Sequence, residues 1–330
     1  MTPSYLSNPI NNSELIGCTL IEKNGTPYHV AFAINQAYTR GMGISLFSLL
    51  KHHPEQSFHV HIFTTSISDQ DKSRLKVLAK RYPVAISVHL FDETWMDDLP
   101  TIGRYSKSIY FRLIIPAVVK NHSDRVLYID ADTLVTGDLT DLLTLDFLGK
   151  TVGVCNDTKR ARQIQCAALK LTSGNYFNSG LLMINIPQWN SHHITERVCD
   201  LLTREGPSFR FPDQDALNVL LENETYLLPK KYNYIYDIIS HKVWHEIQLP
   251  EDTVMVHFTG KCKPWHNWAG GDISELYDYY NAQSPWSSQA YEQPGNYKEI
   301  KRLSRIHWYK GNYLQFLECS AKYIKMKFFK

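Results

Sequence analysis

Paired cysteines are missing from this chain. Its six cysteines (Cys18, Cys155, Cys166, Cys199, Cys262 and Cys319) are scattered, and no two stand in a C-x-x-C spacing. That argues against the common cysteine zinc sites and a disulfide framework, and it fits a reducing compartment. A basic start is missing too. No Lys or Arg precedes Lys23 and no sustained apolar core follows, so no secretory leader is expected. No apolar run approaches the ~20 residues of a membrane-spanning helix. Internal repeats and low-complexity linkers are absent as well. With 43% apolar and 21% charged residues the chain is globular rather than disordered. What remains is a soluble or membrane-peripheral protein, cytoplasmic by expectation, with one large domain or two modest ones.

Charge is nearly balanced overall, at +2, but unevenly placed. From Lys298 to Lys330 nine Lys/Arg face only Glu299 and Glu318, a net +7 that leaves −5 for the first 297 residues. A mildly acidic body with a basic tail suits attachment to an anionic membrane surface; no nucleic-acid groove is expected. The tail mixes Ile300, Leu303, Ile306, Leu314, Leu317 and Ile324 with its cations and with Trp308, Tyr309, Tyr313 and Tyr323. That is the composition of an interfacial helix, although a solvated basic helix would read the same way.

Hydrophobic patterning alternates strands with helices. Strands are predicted at Tyr28–Ile34, Phe58–Thr65, Val84–Leu90 and Val126–Ile129. Between them lie helical patterns up to about His52, over Ser68–Arg81 with Ser68 as N-cap, and over Ser106–Val119. Such alternation predicts an α/β fold with a mostly parallel central sheet covered on both faces. Further on, strands are expected at Thr151–Asn156, Phe177–Asn185 and Thr253–Phe258. Helices are expected at 158–171, Ile194–Arg204 and from Pro212 to about Leu221. The domain reading is an N-terminal extension at 1–27, a catalytic domain at 28–285 and a basic helical appendage at 286–330.

The chemistry gathers around Arg125-Val126-Leu127-Tyr128-Ile129-Asp130-Ala131-Asp132. An apolar strand ends in two carboxylates one residue apart, at the strand end where open α/β sheets bind ligands. Two close carboxylates repel unless a positive charge separates them, and a hard divalent cation does so with oxygen ligands. A surface turn with two solvated acids is the bland alternative. Four other stretches weigh against it. Ala33, Asn35 and Tyr38 close the first strand, where a ring can stack on a planar base and an amide can read its edge; Asn35 also suits a helix N-cap. Arg112 can hold a phosphate or sugar hydroxyls in bidentate fashion, or form a surface ion pair. Asn178, Asp213 and Gln214 have the side-chain types that recognise hydroxyls, with helix capping the alternative for Asp213. His257 can complete an Asp/Asp/His site of the kind that suits Mn²⁺, and Gly260 and Lys263 follow it with backbone access and charge for a diphosphate.

On these segments the sequence resembles glycosyltransferase family 8, and within it the bacterial lipopolysaccharide core hexosyltransferases. The resemblance runs from about Tyr28 to the basic tail. It is carried by Phe32-Ala33-Ile34-Asn35, Tyr110-Phe111-Arg112, Leu127-Tyr128-Ile129-Asp130-Ala131-Asp132, Tyr176-Phe177-Asn178-Ser179-Gly180, Pro212-Asp213-Gln214-Asp215, and His257-Phe258-Thr259-Gly260 through Lys263-Pro264-Trp265-His266. It implies a GT-A fold, a UDP-hexose donor (glucose or galactose), a lipid-linked lipopolysaccharide core acceptor and retention of anomeric configuration. It implies Mn²⁺ or Mg²⁺ on Asp130, Asp132 and His257. Ala33, Asn35 and Tyr38 match uridine contacts, Gly260 and Lys263 diphosphate contacts, and Arg112, Asn178, Asp213 and Gln214 positions around the donor sugar. One departure stands out: the family usually has Asp where this chain has Asn35.

With Gln214, a poor nucleophile, on the far face of the sugar, attack from the leaving-group face is the expected route, with Asp213 orienting hydroxyls. Two rival readings are a haloacid-dehalogenase-type phosphatase and a non-catalytic nucleotide-sugar-binding protein. The first wants Thr or Val two residues after its second Asp, where this chain has Leu134. The second leaves a full set of competent ligands without a reaction.

Overall fold

The computed structural model describes residues 10–17, 26–100, 107–241 and 249–328. The strands are β1 (Ile10–Ile16), β2 (Tyr28–Ala33), β3 (Phe58–Thr64), β4 (Val84–Phe91), β5 (Arg125–Ile129), β6 (Thr133–Val135), β7 (Val152–Asn156), β8 (Phe177–Asn185), β9 (Thr225–Leu227), β10 (Tyr234–Ile235) and β11 (Met255–His257). Eight of them form one sheet in the order β1-β4-β3-β2-β5-β8-β7-β9. β2, β3, β4 and β5 are mutually parallel. β8 runs antiparallel to both of its neighbours, and β1 is an antiparallel edge strand on β4. A second, small sheet has the order β10-β11-β6.

Period-two alternation gives the large sheet two apolar faces. Val30, Phe32, Val60, Ile62, Ile86, Val88, Leu127 and Ile129 pack into one core with α1 (Thr39–His52) and α2 (Asp69–Arg81). Ser68 caps α2 by accepting from Asp71 N at 3.1 Å. Ala31, Phe63, Phe91, Val126 and Tyr128 pack on the other side. Their cover includes α3 (Ile115–Val119), α6 (Ile186–Ser191), α7 (Ile194–Glu205) and α8 (Pro212–Leu220). Shorter α4 (Thr140–Leu143), the cleft-side α5 (Lys159–Leu169), α9 (Asp272–Gln283), α10 (Tyr297–Tyr309) and α11 (Tyr313–Phe328) complete the helices among the described residues.

Several elements differ from the sequence reading. The helix expected over Ser106–Val119 is a 3₁₀ segment, Lys107–Leu113, followed by α3. Pro116 sits in the first turn of α3, where its missing N–H costs nothing, and it cannot continue a preceding helix. Ser106 itself, most of 1–27 and the last two residues lie outside the described residues. Within the segment set apart as an extension, Ile10–Ile16 pairs with β4 and Ile16 is buried. Trp286, placed at the start of the appendage, is fully buried and donates its indole N–H to Asp71 at 3.0 Å. The core therefore continues past residue 285. α10 also belongs to it, burying Ile300, Leu303 and Ile306, whereas α11 buries none of its residues.

Candidate active site

The parallel strands deliver Ala33 and Asp130 to one edge of the sheet, and the antiparallel β8 brings its first residues to the same edge. Ile129 pairs with Leu181, and Asp130 N donates to the Gly180 carbonyl at 2.9 Å. Asn178, Ser179 and Gly180 thus lie beside Asp130 inside the strand expected at Phe177–Asn185. His257 arrives by the small sheet. It stands opposite Thr133 in the β11–β6 pairing, and Phe258 N donates to the Asp132 carbonyl at 2.9 Å. All twelve residues singled out in the sequence line one cleft of about 770 Å³: Ala33, Asn35, Tyr38, Arg112, Asp130, Asp132, Asn178, Asp213, Gln214, His257, Gly260 and Lys263.

At its floor, His257 Nε2 lies 3.2 Å from Asp132 Oδ1 and 3.7 Å from Asp130 Oδ2. The three ligand atoms lie within 4.8 Å of one another. His257 Nδ1 donates to Asn233 Oδ1 at 3.0 Å, which fixes the ring and turns Nε2 toward the acids. Asn233 in turn donates to Asn178 Oδ1 at 3.0 Å. Residue 180 can only be small. A Cβ there would stand 2.2 Å from His257 Cε1 and 2.8 Å from Asp130 Oδ2. Gly260 sits at φ +86, a left-handed conformation suited to glycine.

Three buried or half-buried acids stand together because three cations separate them. Arg112 Nη2 is 3.2 Å from Asp130 Oδ1, its Nε is 3.3 Å from Asp213 Oδ2, and Nη1 donates to the Ser179 carbonyl at 2.7 Å. Tyr128 lies under the guanidinium at 4.7 Å and donates its hydroxyl to Asp130. Lys263 Nζ donates to Asp132 and, at 2.8 Å, to the Phe258 carbonyl. Burial opposes ionisation of Asp132, yet Lys263 and His257 hold its carboxyl below the usual range. Burial alone would discharge His257 and Lys263, but Asp132 raises both. Burial pushes Asp213 up against the pull of Arg112. A divalent cation fits this donor set. It would replace the His257 proton, and it would take over from Lys263 the work of keeping Asp130 and Asp132 together.

Beyond the acids, Gln214 is pinned at both ends of its amide. Its oxygen accepts from Ser179 N at 3.0 Å and from Asn178 Nδ2 at 3.2 Å, and its Nε2 donates to Asp157 at 3.0 Å. Asp213 Oδ2 also accepts from Ser179 Oγ at 3.2 Å. Asn35 Oδ1 accepts from Ala37 N at 3.0 Å, so the capping role is real. That leaves a second lone pair and the NH₂ for the cleft. Tyr38 lies edge-on to Trp265 with centroids 5.7 Å apart. Asp157 and Asn233 are not among the residues singled out in the sequence, and Ser179 is there only as part of the Asn178-Ser179-Gly180 stretch, without a role. Asp157 had a signal of the same kind as Asp130, an acid just past an apolar strand; Asn233, in a short irregular stretch, had none.

The pattern of glycosyl transferase family 8 matches residues 29–269. Curated relatives include the lipopolysaccharide 1,2-glucosyltransferase of Escherichia coli, 30% identical over 91% of each chain. They also include the lipopolysaccharide 1,3-galactosyltransferase of Salmonella typhimurium, 29% identical over 91% of each chain. Among solved structures, the galactosyltransferase LgtC in complex with donor and acceptor sugar analogs superposes with a TM-score of 0.66. It is 22% identical and covers 78% of this chain and 96% of its own. The fold is of the GT-A type, a mostly parallel central sheet flanked by helices, and the chain belongs to glycosyl transferase family 8.

Proposed function

We propose that this glycosyltransferase moves glucose or galactose from a UDP donor to the growing lipopolysaccharide core, with retention of configuration and with a divalent cation. One observation carries the reading: a single cleft unites a cation-binding triad, a lysine and glycine suited to a diphosphate, and a pinned amide–carboxylate group suited to sugar hydroxyls. The two lipopolysaccharide transferases among the relatives support the acceptor class.

Asp130, Asp132 and His257 would hold Mn²⁺ or Mg²⁺, which when bound supplies Lewis-acid charge for the departing diphosphate. Lys263 adds a second positive charge to the leaving oxygens, and Gly260 lets the backbone approach them. Ala33 leaves room for the uridine, Tyr38 offers a ring and Asn35 an amide edge. Arg112, Asn178 and Asp213 orient the sugar. Retention requires either a carboxylate nucleophile or attack from the face the leaving group vacates. Asp213 is tied to Arg112 and Ser179, and the Gln214 oxygen to Ser179 and Asn178. Neither is free to attack, which favours the same-face route, with a leaving phosphate oxygen taking the acceptor proton. Gln214 then stabilises the cationic sugar. A sugar trapped covalently on Asp213 or Gln214 would overturn this.

At the other end, α11 exposes Tyr313, Leu314, Leu317, Ile324 and Phe328, and Trp308 of α10 is half exposed beside it. No helix among the described residues is long and apolar enough to cross a membrane. We propose that this basic, aromatic face rests on the anionic cytoplasmic leaflet of the inner membrane, where the lipid-linked acceptor is met. The test of the activity is incubation with UDP-glucose, UDP-galactose, Mn²⁺ and truncated lipopolysaccharides, read by mass, linkage and anomeric configuration. One added α-hexose is expected. Donor binding without turnover, or phosphate release from phosphomonoesters, would contradict the reading.

A further inference from the structure

A second cluster of ligating side chains lies on the large sheet, away from the cleft. His29 on β2, His59 and His61 on β3 and His89 on β4 project from the same face. His29 stands four residues back along β2 from Ala33 at the cleft, about 13 Å at strand spacing. His29 and His59 are directly opposite in register, and His61 lies between Ala31 and Ser87, small neighbours that leave its ring room. His29 Nδ1 lies 3.0 Å from His61 Nε2, the His59 and His61 rings stack at 4.2 Å, and the ligand atoms of His29, His59 and His61 lie within 4.8 Å of one another.

We propose that His29, His59 and His61 form a second metal centre, one that takes Zn²⁺ or a similar nitrogen-preferring ion rather than Mg²⁺ or Mn²⁺. Three features support it. The nitrogens are close enough to share an ion: zinc bonds of about 2.0–2.1 Å place tetrahedral ligands about 3.3 Å apart, a small opening from the 3.0 Å between His29 and His61, and the His59 ligand atom lies within 4.8 Å of both. Two of the three rings, His59 and His61, are braced from behind, as ligating imidazoles usually are. His61 Nδ1 meets His89 Nε2 at 3.1 Å, His89 Nδ1 meets Ser13 Oγ at 2.8 Å, and His59 Nε2 meets Ser87 Oγ at 2.8 Å. The rings are also held neutral. Burial and then the neighbouring histidines lower His29 and His59 to about 4, and His61 falls well below its ordinary value. Neutral imidazole is the form that binds a metal, so no proton competes near pH 7. No carboxylate belongs to the cluster, which selects against hard cations. The exposed His122, with its ring 5.8 to 6.4 Å from these three, offers a further nitrogen for the open position.

The full chain carrying Asp132→Ala, stripped with chelator, isolates this site from the cleft. Zn²⁺ is titrated into it by calorimetry in excess Mg²⁺, and melting is followed with and without Zn²⁺. One Zn²⁺ per chain and a raised Tm are expected. Adding His59→Gln or His61→Gln should weaken binding about tenfold or more and abolish the Tm rise. His59 is only partly buried, so His59→Gln decides the matter if His61→Gln does not fold. Absence of Zn²⁺ binding in the Asp132→Ala chain, or binding unchanged by His59→Gln, would overturn the proposal and leave the histidines as a hydrogen-bonded chain across the sheet.

Discussion

The two three-residue clusters bury ligating groups by opposite means. In the cleft, Asp132 and His257 hold each other charged, with Lys263 on Asp132 and Arg112 on Asp130 at ion-pair distance. On the sheet, His29, His59 and His61 stay neutral and pair with one another, with His89 and with serines. The charged cluster opens into a large cleft whose walls carry further polar groups, as a site must if it is to hold a diphosphate and a sugar. The neutral cluster packs on a sheet face, with the exposed His122 ring 5.8 to 6.4 Å away. Both clusters are largely buried, so the partners set the charge state: opposite charges around the acids of the cleft, further neutral imidazoles and serines around the histidines of the sheet. An oxygen-rich anionic set suits hard cations such as Mn²⁺ or Mg²⁺, and a neutral nitrogen set suits Zn²⁺.

The largest separation between the clusters should come from Lys263→Ala. With Mn²⁺ saturating, losing this charge opposite the leaving diphosphate is expected to lower kcat about 10²–10³-fold, measured as UDP release, without touching Zn²⁺ binding. Next, Asn233→Ala removes the acceptor that holds the His257 ring. Mn²⁺ affinity in the cleft should fall about 10–100-fold by calorimetry. Gly180→Ala forces a methyl against His257 and Asp130, which should cost about 1–3 kcal/mol in urea unfolding and weaken Mn²⁺ binding as well.

Acid sharpens the contrast on the histidine side. His29, His59 and His89 sit at about 4, below their ordinary 6.5, so the unfolded chain takes up these protons first. Their contribution is therefore full above about pH 6.5 and is lost as pH falls toward 4. Each should cost on the order of 1 kcal/mol, or about 1–2 °C in Tm for a chain of this length, and His59→Gln in chelator should flatten the pH–Tm slope. The smallest effect on catalysis belongs to a chain ending at Lys310. Without α11 it should no longer pellet with anionic vesicles, yet it should turn over a water-soluble acceptor unchanged.

Much of this was legible in the residues because it rests on local pattern. Strand periodicity marked β2 to β5, the Ser68 cap marked α2, and acids at a strand end marked Asp130 and Asp132. The rule that strand ends converge, together with the family resemblance, was enough to single out twelve scattered residues that share one cleft. Pairing was not legible. Nothing in Phe177–Asn185 says that it runs antiparallel, and that reversal is what sets Asn178 and Gly180 beside Asp130. The strand that carries His257 was expected at Thr253–Phe258, but its partners in the small sheet are strands of three and two residues, too short for a periodic signal, so its place beside Asp132 was not legible. Asn233 and Asp157 act through contacts set by tertiary structure. The histidines alternate visibly in Phe58–Thr64, but their partners on β2 and β4 follow from register, which the sequence pattern leaves open.

The central claim is that Asp130, Asp132 and His257 bind the cation on which hexose transfer depends. Its most direct test is UDP release from UDP-glucose and UDP-galactose, with a truncated lipopolysaccharide acceptor, as Mn²⁺ is titrated into the wild-type chain and into Asp132→Ala. The account predicts saturable, Mn²⁺-dependent release with one donor in the wild type and its loss in the variant, with the circular dichroism spectrum preserved. Equal release by the two chains, or release indifferent to Mn²⁺ and to chelator, would contradict it.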